Sequence, residues 1–104
     1  MNWKTLIVDD ERLARDELRS LLEAHPQIEI VAEATNAQEA RTAIAEKHPD
    51  LLMLDIQMPG QNGFELLTSL ENQPFEVIFT TAYDEFALKA FDFSAMDYLL
   101  KPID

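Results

Sequence analysis

Short apolar runs alternate with longer amphipathic stretches along this chain, and the apolar runs end on polar residues. Thr5-Leu6-Ile7-Val8 is brief and partly β-branched, which suits a strand buried on both faces, and it stops at Asp9 and Asp10. Leu13, Ala14, Leu18, Leu21 and Leu22 then recur at helical spacing among charged residues, until His25-Pro26 ends the segment. Residues 28–34 alternate as a less buried strand, predicted at an edge of the sheet. Asn36, with Glu39 three residues later, has the form of a helix start, and the spacing predicts a second helix to about Lys47.

The second half repeats the alternation. Residues 50–56 contain Leu51-Leu52-Met53-Leu54 and close on Asp55, as a central strand would. Met58-Pro59-Gly60-Gln61-Asn62-Gly63 is rich in turn residues, and Phe64, Leu66, Leu67 and Leu70 predict a third helix. Residues 75–81 are strongly β-prone, Asp84 is placed to cap a helix carrying Ala87, Leu88, Ala90 and Phe91, and Tyr98-Leu99-Leu100 forms a last strand. Strands separated by helical crossovers predict an α/β fold, a doubly wound parallel sheet of five strands covered on both faces. No repeat, low-complexity tract or linker interrupts the 104 residues, so a single domain is expected.

Charge narrows the function classes. Twenty Asp and Glu against eight Lys and Arg give a formal net charge of -12, a surface that repels nucleic-acid phosphates and argues against direct DNA binding. Cysteine is absent, which excludes a disulfide framework and thiolate chemistry. Two isolated histidines make a poor zinc site, and each precedes a proline at a helix end, where a surface position is expected. The N-terminal apolar stretch is too short for a secretory or membrane segment, so a cytoplasmic protein is expected.

Candidate chemistry lies at the strand ends. In open parallel sheets ligands bind beyond the carboxyl ends of the strands, where the strand order reverses. With order 2-1-3-4-5, Asp9 and Asp10 after the first strand would meet Asp55 after the third. Carboxylates about 4 Å apart repel by roughly 4 kcal/mol per pair at an effective dielectric near 20, so such a cluster calls for a hard cation. Mg²⁺ takes one or two carboxylates together with phosphate oxygens and water. Asp55 is the nucleophile candidate because it ends a buried strand, with Asp9 and Asp10 holding the metal. Thr81 offers a hydroxyl donor and Lys101 a point charge for phosphate oxygens. Read singly, each residue has a plainer account. Asp9, Asp10 and Glu11 would suit a helix N-terminus, Thr81 is an ordinary strand residue, and Trp3, Phe86, Phe91 and Tyr98 suit packing.

Taken together, Asp9-Asp10, Asp55 with Met58-Pro59, Thr81-Ala82 and Lys101-Pro102 resemble the receiver domains of bacterial two-component response regulators, in order and spacing over nearly the whole chain. The resemblance implies a flavodoxin-like fold and a signalling switch in place of a turnover enzyme. It implies that a sensor histidine kinase phosphorylates Asp55. Mg²⁺ would be coordinated by Asp10, Asp55 and the backbone carbonyl of Gln57, with Asp9 acting through water. Thr81 and Lys101 would contact the phosphoryl group, Tyr98 would be the aromatic switch, and the bond before Pro102 would be cis. The stretches Asp10-Glu11-Arg12-Leu13-Ala14-Arg15 and Thr80 through Phe91 to Tyr98 resemble the LytTR-type (LytR/AlgR-like) subfamily, whose output domain binds DNA.

Receivers of that pattern continue past the strand holding Lys101 into a fifth helix, and these residues stop at Asp104, so a receiver domain shortened after its fifth strand is expected, without its output domain. A face formed by Leu99, Ile103 and part of the first helix is therefore expected to lack cover, predicting a homodimer or domain swap. Two rival classes are an Asp-nucleophile phosphohydrolase and a receiver-like module that is never phosphorylated. The first needs an acid two residues after its nucleophile, where this chain has Gln57.

Overall fold

The structure, a computed structural model, describes residues 2–70, 74–93 and 95–101. Five parallel strands form one sheet: β1 (Trp3–Val8), β2 (Ile28–Ala34), β3 (Leu51–Asp55), β4 (Glu76–Thr81) and β5 (Asp97–Leu100), in the order β2-β1-β3-β4-β5. Between them run α1 (Arg12–Leu22), α2 (Ala37–Lys47), α3 (Gly63–Thr68) and α4 (Ala87–Asp92), the last preceded by a 3₁₀ turn at Asp84–Phe86. The predicted order is borne out, with β2 at the edge.

Alternation along the central strands divides the core in two. Leu6, Val8, Leu52, Leu54 and Phe79 face the larger cluster, which Ala40 and Ile44 of α2 and Phe64 and Leu66 of α3 complete. Ile7, Leu51 and Met53 point the other way and meet Leu18 of α1, with Trp3 and Leu99 partly buried beside them. Every residue of β3 is buried. Each fully buried Leu or Ile is worth about 1.5–3 kcal/mol, so the strand that ends on Asp55 is a rigid support for it. Phe64 anchors the α3 side, with its ring centroid 4.9 Å from that of Phe79 and 5.1 Å from that of Phe93.

Register sets which side chains share the carboxyl edge. Val8 pairs with Ala34 on one side and with Leu54 on the other, Asp55 pairs with Thr80, and Thr81 with Leu100. Asp9, Asp55, Thr81 and Lys101 therefore emerge side by side at one edge.

The helix starts differ in detail from expectation. Asn36 accepts from Glu39 N–H at 2.8 Å, but the Glu39 carboxylate reaches back to Thr35 and not to Asn36. Those Thr35 hydrogen bonds hold the Glu39 carboxyl below its ordinary range. The complete capping box is at α3, where Asn62 and Glu65 exchange bonds of 2.9 Å. Asp84 opens the 3₁₀ turn, and α4 begins only at Ala87 and spans six residues. β1 starts at Trp3, two residues before the expected strand, because Trp3 N–H donates to Gln27 and Trp3 pairs with Ile28. The expected cis bond before Pro102 and the expected exposure of Ile103 fall outside the described residues. Among the described residues, no helix is long and apolar enough to cross a membrane.

Candidate functional site

At the end of β1 the chain turns sharply. Asp9 is buried, its N–H donates to Ala34 O at 3.0 Å, and its Oδ1 accepts from Glu11 N–H at 2.9 Å. That second bond carries part of the plainer reading of these acids, since Asp9 does organise the turn into α1. Glu11, at the helix cap itself, makes no side-chain cap bond. Asp10 is exposed beside it.

One strand over, Asp55 closes β3 with 3% of its surface accessible. Gln57 N–H donates to Asp55 Oδ1 at 3.3 Å, which folds the chain back over the carboxylate. Asp9, Asp10 and Asp55 each offer a carboxylate oxygen, and these oxygens all lie within 4.8 Å of one another. Gly63 allows the loop after β3 to close. A Cβ at this position would come 2.7 Å from Asp55 O and 3.2 Å from Ile56 Cα, so the first turn of α3 can press against the end of β3 only without a side chain. Gly60, at φ +82°, supplies the left-handed turn between them.

Lys101 reaches the cluster from the end of β5. Its Nζ lies 2.7 Å from Asp9 Oδ2 and 3.6 Å from Asp55 Oδ1, and its N–H donates to Thr81 O at 2.7 Å. Burial alone would depress the Lys101 pKa, but the hydrogen bond it donates to Asp9 and the charges of Asp55, Asp9 and Glu11 leave it raised. The Asp55 carboxyl is pushed up to about 7, first by burial and then by the Asp9 charge, against the opposing pull of Lys101 and of the Gln57 N–H. Two buried carboxylates sharing one ammonium are therefore under-neutralised. The donor set is all hard oxygen, and the excess negative charge is what a divalent cation would balance. The residues fit a Mg²⁺-class ion.

Thr81 is fully buried, and its Oγ1 accepts from Tyr83 N–H at 3.2 Å. Tyr83 O in turn accepts from Tyr98 Oη at 2.5 Å. The two switch candidates are thus joined through Tyr83. Beside this edge, a cavity of about 320 Å³ opens between α1 and the ends of β4 and β5, lined by Asp9, Leu13, Leu18, Thr80 and Lys101 among others.

Two residues escaped the sequence reading. Arg15 donates from Nη1 to Asp9 O at 2.9 Å and from Nε to Glu33 Oε1 at 3.2 Å. Arg15 stands within a stretch already singled out, but nothing in linear spacing brings Glu33 of β2 to it.

The profile of the response regulator receiver domain matches residues 5–104, and the chain belongs to that family: it is the receiver domain of a two-component response regulator. It is 53% identical over 103 residues to the transcriptional regulatory protein BtsR of Salmonella typhi, covering 97% of this chain and 43% of that protein. It is 47% identical over 104 residues to the sensory transduction protein LytT of Bacillus cereus, covering 97% and 42% respectively. Both relatives are of the LytTR type. The chain thus spans less than half the length of these curated relatives. Among solved structures, the REC domain of AraT, a response regulator from Geobacillus stearothermophilus, superposes with a TM-score of 0.89 at 36% identity, over 100% of this chain and 84% of that one.

Proposed function

We propose that Asp55 is the phosphoacceptor of this receiver domain, that a sensor histidine kinase is the donor, and that Mg²⁺ held by Asp10, Asp55 and the Gln57 carbonyl, with Asp9 acting through water, is required. The observation that carries this reading is the meeting of three carboxylates within 4.8 Å, with Lys101 bridging Asp9 and Asp55. In the step, an Asp55 oxygen forms a bond to phosphorus as the phosphorus–nitrogen bond of the phosphohistidine breaks, and the released imidazole takes up a proton. A divalent cation, when bound there, would neutralise charge on the carboxylates and on the phosphoryl oxygens.

The rest is done by the chain's own side chains. Burial keeps the Asp55 carboxylate poorly solvated and held by β3, and the Gln57 N–H orients one of its oxygens. Lys101 exchanges part of its pairing with Asp9 for the phosphoryl oxygens. The Thr81 hydroxyl turns from Tyr83 N–H toward the same group, and this withdraws one support from the loop that holds the Tyr98 hydroxyl. A few charge-assisted hydrogen bonds of about 1.5–3 kcal/mol each suffice for a shift between two states. The chain acts as a switch and not as a turnover enzyme.

The kinship to BtsR, a transcriptional regulatory protein, supports a transcriptional output outside these residues. The formal net charge of -12 supports that this segment itself binds no nucleic acid, and a cytoplasmic location belongs to the same reading. Self-association also belongs to this reading: Leu13 on α1 is 69% exposed, although Leu99 of the expected face is partly buried against the cluster that holds Leu18. A clean monomer in sedimentation at high concentration contradicts that part. The phosphoacceptor assignment is tested by phosphoryl uptake from a small phosphodonor, with and without Mg²⁺, in the parent chain and in Asp55→Asn.

A further inference from the structure

Arg15 is a charged residue in a setting unusual for one, with 14% of its side chain accessible. Its guanidinium spans two elements. Nη1 holds the main-chain oxygen of Asp9, and Nε is held by Glu33, whose carboxylate also pairs with Arg19. Glu33 is placed by the sheet, since it pairs in register with Ile7 of β1, and the next residue, Ala34, accepts from Asp9 N–H. The Asp9 main chain is therefore pinned on both sides, by β2 at its nitrogen and by Arg15 at its oxygen.

The peptide bond makes this more than a local contact. Asp9 C=O lies in one rigid plane with the nitrogen and Cα of Asp10, so fixing that oxygen fixes where the Asp10 side chain begins. Asp10 is exposed, and its carboxylate nonetheless joins the cluster with Asp9 and Asp55. Groups one layer behind metal ligands set ligand geometry and commonly change metal affinity by 10–100-fold when removed.

We propose that Arg15, oriented by Glu33, is a positioning residue of the acidic site, holding the Asp9–Asp10 peptide so that both carboxylates are set for Mg²⁺. The proposal rests on the reading that this site binds Mg²⁺. Its sign separates it from plain electrostatics: loss of a cation that bonds the main chain of Asp9 would by charge alone tighten Mg²⁺ binding, whereas loss of a positioning group weakens it.

The test is Mg²⁺ titration calorimetry on the unphosphorylated parent, Arg15→Met and Arg15→Lys, with thermal unfolding of each. Arg15→Met is expected to bind Mg²⁺ roughly tenfold more weakly. Arg15→Lys keeps the charge but not the planar fork, and falls between the two. Unchanged or tighter binding in a folded Arg15→Met overturns the proposal, whatever its thermal stability. If Arg15→Met does not fold, parent-like affinity in Arg15→Lys overturns it and weaker affinity supports it. A parent chain that binds no Mg²⁺ overturns the reading of the site and this proposal with it.

Discussion

Lys101 donates a hydrogen bond of 2.7 Å to Asp9, 92 positions earlier in the chain, and so ties the last described strand to the first. The pair is nearly closed to solvent, with 19% and 6% of the two side chains accessible. Removing one member of such a pair leaves the other buried without its counter-charge. Lys101→Met is expected to lower the stability of the metal-free protein by about 1–3 kcal/mol at neutral pH, read as a fall in the urea midpoint. Mg²⁺ should restore most of the loss. An unchanged midpoint would mean that the ion pair contributes nothing net.

Asp55 makes metal-free stability depend on pH. Its carboxyl is raised from 3.8 to about 7, so the fold favours the protonated form. The stabilisation is therefore complete below the unfolded pKa and is lost as pH climbs from about 4 to about 7. The loss is of the order of a few kcal/mol. Urea unfolding in chelator across that window should show it, and Asp55→Asn should flatten the profile. A parent curve as flat as that of the variant contradicts the raised pKa.

Gly63 is expected to tolerate no side chain. Alanine normally gains about 1 kcal/mol over glycine inside a helix. Here its Cβ would meet main-chain atoms of Asp55 and Ile56, which cannot swing aside as a flexible side chain would. Gly63→Ala should destabilise by about 1–3 kcal/mol and slow phosphoryl uptake by displacing the end of β3. Equal or greater thermal stability would show that the contact relaxes freely.

The Tyr98 hydroxyl holds Tyr83 O, and Thr81 holds Tyr83 N–H. Tyr98→Phe should increase amide exchange in residues 82–86 while costing only about 0.5–1.5 kcal/mol of global stability. Exchange confined to the parent rate would remove Tyr98 from the loop's supports.

Much of this architecture was legible in the residues because both the strands and their ends carry a signal. Leu51 to Leu54 form an unbroken apolar run closed by Asp55, and a strand buried on both faces requires such a run. The crevice acids follow from strand order alone. Details set by tertiary contact were not legible. The register shift between Thr5 and Leu6, the late start of α4 after a 3₁₀ turn, and the bridge from Glu33 through Arg15 to Asp9 depend on neighbours distant in sequence. Gly63 reads as one more turn residue until the closeness of β3 is known.

The most direct test of the central claim is the intact mass of the parent chain and of Asp55→Asn after incubation with Mg²⁺ and phosphoramidate. The parent should gain the mass of one phosphoryl group and Asp55→Asn none. Equal uptake by both chains, or none by the parent, would contradict Asp55 as the phosphoacceptor.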